Sequence, residues 1–257
     1  MKLSGNTILV TGGGTGIGRA LAESFHALGN KVVIAGRRQA PLDATIAANP
    51  GMASLTLDIG DAESIRAFAR TAIEKHPDLN VVLHNAGIMQ PENLLAPDFD
   101  LTTAEATIAT NLLGPIRLTA ALLPHLRQRP KAAIITVSSG LAFVPLAITP
   151  TYCATKAAIH SYTVSLREEL KGRVEVIELA PPAVQTGLTP GQENRPGYQP
   201  LNEFADEVIA LLLAQPTPAE VLVERVKFLR NAEAEHRFDQ TVVQLNAFAA
   251  QARAAST

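Results

Sequence analysis

Tyr152-Cys-Ala-Thr-Lys156 sets a phenol and an ammonium four residues apart. On a helix, positions i and i+4 share a face one turn apart. A lysine placed there favours the phenolate and draws the tyrosine pKa down from its ordinary value of about 10. A tyrosine tuned in this way works as a general acid or base near neutral pH. The same spacing also describes a core ring beside a solvated charge. The rest of the chain must therefore supply something for that tyrosine to protonate.

Thr11-Gly-Gly-Gly-Thr-Gly-Ile-Gly18 is the second informative stretch; it follows the apolar run Thr7-Ile-Leu-Val10 and opens an amphipathic segment. Glycines let the backbone turn sharply and come close to a pyrophosphate, while a helix N-terminus offers unpaired N–H groups to its charge. The pattern is G-x-x-x-G-x-G, carried by Gly12, Gly16 and Gly18. The next apolar run ends at Ala35-Gly36-Arg37-Arg38. A carboxylate at that point would bind the hydroxyls of an adenosine ribose and repel a 2′-phosphate. Gly36 has none, and the guanidinium of Arg37 offers a fork of donors suited to the phosphate. The expected cofactor is NADP(H), with NAD(H) as the alternative. Asp58, in Leu57-Asp58-Ile59, is placed to accept from an adenine amino group or to cap the following helix.

These residues need a frame that holds them. Short apolar runs at Thr7–Val10, Lys31–Ala35, Ala53–Leu57, Asn80–Leu83, Ala132–Val137, Val174–Leu179 and Glu220–Val223 alternate with helical stretches at Gly16–Leu28, Asp61–Lys75, Thr103–Leu113, Ile116–Arg127 and Thr151–Leu170. Continuous apolar strands separated by helices predict βαβ units with a parallel sheet covered on both faces. The expected fold is an α/β, Rossmann-type doubly wound sheet of about seven strands, with residues 1–257 as one domain. Gly187–Asn202, rich in glycine and proline, reads as an irregular mobile loop over the substrate. Arg225–Ala252 carries apolar residues at helical spacing and reads as a C-terminal helix packed on the sheet or on another subunit.

Composition excludes several classes. A net charge of −2 with no Lys/Arg block leaves no electrostatic footprint for nucleic acid. No apolar run is long enough to cross a bilayer, and the N-terminal residues lack a signal-peptide pattern. Cys153 is the only cysteine, so neither an intrachain disulfide nor a thiolate metal cluster can form. No metal is expected, and the cytoplasm is the expected compartment.

Four motifs in order resemble the short-chain dehydrogenase/reductase family over residues 5 to about 186: Thr11–Gly18, Asn85-Ala-Gly87, Asn111 within Thr-Asn-Leu-Leu-Gly, and Ser139, thirteen residues before Tyr152. The resemblance implies that Tyr152 donates a proton to a substrate carbonyl oxygen as hydride arrives from the nicotinamide. It implies that Ser139 orients that oxygen and that Lys156 lowers the tyrosine pKa while holding the nicotinamide ribose. Asn111 would kink its helix and position a water that refills the proton. Cofactor contacts carried over in the same way fall on Gly12, Thr15, Gly16, Ile17, Gly18, Arg37, Asp58, Asn85, Ala86, Gly87, Tyr152, Lys156, Pro181, Val184 and Thr186. Asn85 to Gly87 would support the cofactor and the central strand, and Thr186 would contact the carboxamide. His84 reads as a packed or surface histidine, and Cys153 as packing.

Two departures stand out. Pro181-Pro182 replaces the usual Pro-Gly, which stiffens the turn over the nicotinamide. The usual Gly-rich ending after the last strand is missing, which puts a tetramer in doubt and leaves a homodimer through Pro115–Arg127 and Thr151–Leu170 as the expectation. Both features resemble a DltE-like bacterial subgroup. The expected substrate is a small carbonyl compound or alcohol, bound between Ser139 and Tyr152 near Met89-Gln-Pro91 and Leu188, against an apolar wall of Leu141, Phe143, Val144 and Ile148. The rival expectation is a catalytically silent NADP(H)-binding sensor or scaffold, and retention of all four catalytic positions tells against it.

Overall fold

The computed structural model describes residues 1–254. Its elements run β1 (Thr7–Thr11), α1 (Gly16–Ala27), β2 (Lys31–Gly36), α2 (Gln39–Ala48), β3 (Ala53–Thr56), α3 (Ala62–Lys75), β4 (Leu79–His84), α4 (Thr102–Ile108), α5 (Gly114–Leu126), β5 (Ala133–Val137), α6 (Pro150–Glu169), β6 (Glu175–Leu179), α7 (Leu201–Leu213), β7 (Glu220–Val221), α8 (Glu224–Arg230) and α9 (Phe238–Ala254). The seven strands form one parallel sheet in the order β3-β2-β1-β4-β5-β6-β7. The order reverses between β1 and β4, and in doubly wound sheets a ligand crevice opens at the strand ends beside such a reversal.

The apolar runs explain the layering. Every residue of β1, β4 and β5 is buried, as strands covered on both faces require. Alternation then divides them. Ile8, Val10 and Ile34 join Leu21 and Phe25 of α1 and Phe204 and Val208 of α7 on one face. Leu9, Val33 and Val82 join Ile65 and Phe68 of α3 and Leu118 and Leu122 of α5 on the other. Each such side chain, fully buried, contributes about 1.5–3 kcal/mol.

Several boundaries differ from expectation. α2 and α7 were not evident in the sequence; α2 carries Pro41 and only weak amphipathic patterning. Residues 187–202 do not hang free: Leu201 already begins α7, and the rest is laced down. Gln185 N–H donates to the Gln199 carbonyl at 2.8 Å, Gln199 N–H to Ala183 at 2.9 Å, and Gln192 Nε2 to Val184 at 2.8 Å. The C-terminal stripe is two helices, broken at Asn231–Arg237 where His236 takes a left-handed φ of 55°. A continuous helical run, Thr102–Leu126, is 25 residues long and apolar enough to cross a membrane by length and composition. It is a core helix in this fold: Leu118, Leu122 and Leu126 are buried against the sheet, and Thr110, Asn111 and Thr119 are buried polar residues with roles below.

Candidate active site

The glycine turn is built by contact. A Cβ on Gly13 would sit 2.6 Å from Ile34, and one on Gly18 would run into the Gly12 carbonyl oxygen, so α1 could not approach β1 so closely. Gly12 and Gly16 take left-handed φ values of 69° and 54°. Asn85 locks this turn to the end of β4: its Nδ2 donates to the Thr11 carbonyl at 3.0 Å and reaches Gly12 at 3.5 Å. The Thr11 hydroxyl in turn accepts from the N–H groups of Asn85 and Ala86 at 3.0 and 3.1 Å. Thr15, the residue before α1, gives no side-chain cap, and the first turn holds no acid. The helix N-terminus thus keeps donors available for an external anion.

A cavity opens beside this turn. Its lining includes Gly12, Gly14, Thr15, Arg37 and Arg38, together with Ala86 and Gly87. Among the described residues, no carboxylate lines it. Two guanidinium groups, a glycine turn and an uncapped helix end fit a ligand with a pyrophosphate and an additional phosphate. Arg38 and Gly14 join this wall although the sequence reading singled out neither. Gly16, Ile17 and Gly18 form the helix start behind it. Asp58 stands between Leu57 and Ile59, which both line the cavity; its Oδ1 accepts from Gly60 N–H at 3.0 Å, while Asp61 caps α3 by accepting from Ser64 N–H at 2.6 Å.

The second group of residues meets beside Gly87 of this lining. α6 turns Tyr152 and Lys156 toward the end of β5, and both are buried, as are Ser139 and Asn111. Burial pushes the Tyr152 phenol up to about 12, with the hydrogen-bonding Ser139 hydroxyl working the other way. Burial pulls the Lys156 ammonium down to about 8. Its Nζ donates to the Val137 carbonyl at 2.8 Å and stands 5.6 Å from the centre of the Tyr152 ring. The expected depression of the phenol by the lysine is not what the fold gives: desolvation decides the direction for both groups.

Asn111 sits in a π-helical turn, Ala109–Leu113, between α4 and α5. Its side chain clamps Ile88, accepting from the backbone N–H at 2.9 Å and donating to the carbonyl at 2.8 Å. A Cβ on Gly87 would meet Asn111 Oδ1 at 3.3 Å and Lys156 Nζ at 3.8 Å, so these residues converge. The widened turn also admits Gly114 against Ile59, where a Cβ would lie 2.5 Å from the carbonyl oxygen.

Pro181 accepts from Gly140 N–H at 2.8 Å, tying the proline turn to the turn after Ser139. Val184 bridges to Gln199, and Thr186 Oγ accepts from Gln192 Nε2 at 3.2 Å. Of the expected apolar wall, Val144 is fully buried and Phe143 meets both His160 and Arg230. His84 is packed: Thr119 bonds its Nε2 at 2.9 Å, and burial drops its pKa to about 4. Cys153 is buried, bonded through Sγ to the turn at Leu146.

The short chain dehydrogenase family model matches residues 6–196. The chain is 38% identical over 249 residues, 96% of its length and 98% of the relative's, to the uncharacterized oxidoreductase DltE of Bacillus subtilis (strain 168). A short chain dehydrogenase from Burkholderia cenocepacia, solved in complex with NADP, superposes with a TM-score of 0.80 at 26% identity, covering 95% of this chain and 99% of that one. An alcohol dehydrogenase from Thermococcus sibiricus, complexed with 5-hydroxy-NADP, gives 0.76 at 25% identity, covering 85% and 95%.

Proposed function

The chain belongs to the short-chain dehydrogenase family, and from that premise we propose that it is an NADPH-dependent reductase of small carbonyl compounds, with Tyr152 as proton donor. The observation that carries this reading is the convergence of Ser139, Tyr152, Lys156 and Asn111, all buried, beside Gly87, which lines the cavity that also holds Arg37 and Arg38. Relatives in the same fold were solved with NADP or a derivative of it, and the two arginines with no opposing carboxylate favour the same ligand. A bound nicotinamide supplies the hydride.

The chain's own residues supply the rest. Tyr152, held protonated by burial, has a proton to give to a carbonyl oxygen at neutral pH. Ser139 donates to the same oxygen and fixes its approach. Lys156 presents a cation beside the phenol as it loses its proton, and holds the ribose. Asn111 secures the loop at Ile88 and leaves a widened helical turn for a water on the proton route. Gly12, Thr15 and the start of α1 hold the pyrophosphate; Arg37 and Arg38 hold the 2′-phosphate; Ala86, Gly87, Pro181, Val184 and Thr186 frame the nicotinamide end. Residues 1–257 act as one unit, a homodimer in the cytoplasm.

NADPH absorbance followed with a panel of ketones, aldehydes and quinones tests the reading. Tyr152→Phe is expected to lower the rate by roughly 10²–10⁴ with NADPH affinity retained. Turnover that survives the substitution unchanged sinks the mechanism, and tight NADPH binding without turnover across the panel favours the sensor.

A further inference from the structure

β6 reads Glu-Val-Ile-Glu-Leu, and its second acid stands where core is expected. Glu178 is wholly buried. An ionised carboxylate in such a place is costly unless hydrogen bonds replace its water. Two bonds do so. The Ser138 hydroxyl donates to Oε1 at 2.5 Å, and His160 Nδ1 donates to Oε2 at 2.8 Å. The carboxylate stands between the serine and the imidazole, so the histidine is not a base for the serine and this is no nucleophile triad.

Both partners lie on the segments that carry the reacting groups. Ser138 precedes Ser139, and its N–H is already paired with Leu179 at 2.9 Å. His160 follows Lys156 by one turn on the same face of α6. Its ring meets Phe143 edge-on at 4.9 Å, and Phe143 ends the short turn that begins at Ser139. Arg230 stands over the ring of Phe143 at 4.7 Å and is held by two bonds to Glu220, the register partner of Glu178.

We propose that Glu178 is a positioning residue for the reaction at Tyr152. By gripping Ser138 on one side and His160 on the other, it sets the end of β5 against α6 and so places the Ser139 hydroxyl relative to the phenol. Two further polar ties cross the same seam, Lys156 to the Val137 carbonyl and Thr163 to Thr136. The carboxylate bonds the residue before Ser139 directly and backs the ring of Phe143 through His160.

The experiment compares Glu178→Gln, Glu178→Leu and the double variant Glu178→Leu/Ser138→Ala, which leaves no orphaned hydroxyl. Glutamine preserves both bonds, accepting from Ser138 and donating to the other imidazole tautomer. Hydrogen exchange of the amides from Gly140 to Val144 is read on the protein alone. kcat and KM are read for NADPH-driven reduction of benzil, an apolar diketone. The leucine variants are expected to lose protection at Gly140–Val144 while β1 and β4 keep theirs, and to lose roughly ten- to a hundredfold in kcat at little-changed KM. Glutamine is expected to recover both. Should the leucine variants not fold, His160→Leu removes only the imidazole arm and carries the same expectation for exchange. Wild-type protection at Gly140–Val144 in the folded leucine or His160 variants overturns the proposal, as does a glutamine variant as impaired as leucine. The kinetic arm rests on the carbonyl-reductase reading; if wild type consumes no carbonyl compound, that reading fails while hydrogen exchange still decides the positioning role.

Discussion

At the scale of single residues, burial sets the proton chemistry. Tyr152 and Lys156 share a face of α6, yet desolvation moves the phenol up to about 12 and the ammonium down to about 8. The lysine shift has a measurable consequence. Between pH 8 and 10.5 the unfolded chain holds a proton on Lys156 that the folded chain has released, so stability contributed at this site rises with pH across that window. Relative to Lys156→Met, the wild type is expected to gain roughly 3 kcal/mol between those limits, read as the difference in urea midpoints against pH. A constant difference across the window would show that the lysine is not desolvated. On the cavity wall, Arg37→Ala/Arg38→Ala is expected to weaken NADPH binding by roughly ten- to a hundredfold, the loss of charged hydrogen bonds, and to leave NADH nearly untouched. Nicotinamide fluorescence titration measures it, and equal losses for both cofactors would remove the arginines from the phosphate site.

At the scale of elements, α4 and α5 are one helix interrupted by a π-turn, and the interruption serves two ends. It turns Asn111 onto Ile88, and it lets Gly114 lie against the Ile59 carbonyl. Gly114→Ala forces a methyl group into that contact, where the nearest atom is backbone and cannot swing aside. The expected cost is about 1–3 kcal/mol, visible as a lower denaturation midpoint. An unchanged midpoint would mean that α5 has freedom to shift. The loop at 187–199 belongs to the same scale. Its glycine and proline content signals irregular backbone, but Gln192 and Gln199 fasten it to Val184, Thr186 and Ala183. A side-chain amide on Val184 and Thr186 and a main-chain bond from Gln199 to Ala183 leave no periodic trace, so the attachment was invisible in the sequence.

At the scale of the whole molecule, one sheet places the glycine turn after β1 and the Ser139 turn after β5 at the same end of the strands, across the point where strand order reverses. Ile108, Leu113 and Val164 are exposed on the adjoining α4, π-turn and α6, which supports association through that side. The chain is expected to sediment as a dimer, and Ile108→Lys/Val164→Lys as a monomer; a monomeric wild type at micromolar concentration would refute the arrangement. The sequence by itself determined the strand–helix alternation, the glycine turn, the arginines after β2 and the order of Asn111, Ser139, Tyr152 and Lys156, because each depends on local spacing and residue type. Only the tertiary structure decided the desolvation of Tyr152 and Lys156, the hydrogen-bond partner of Asp58, the place of Arg38 on the cavity wall, and the burial of Glu178 between Ser138 and His160. Those depend on desolvation and on partners that only the folded backbone brings together. The helical spacing that sets Tyr152 beside Lys156 is local, whereas the water withdrawn from both is a property of the packed fold.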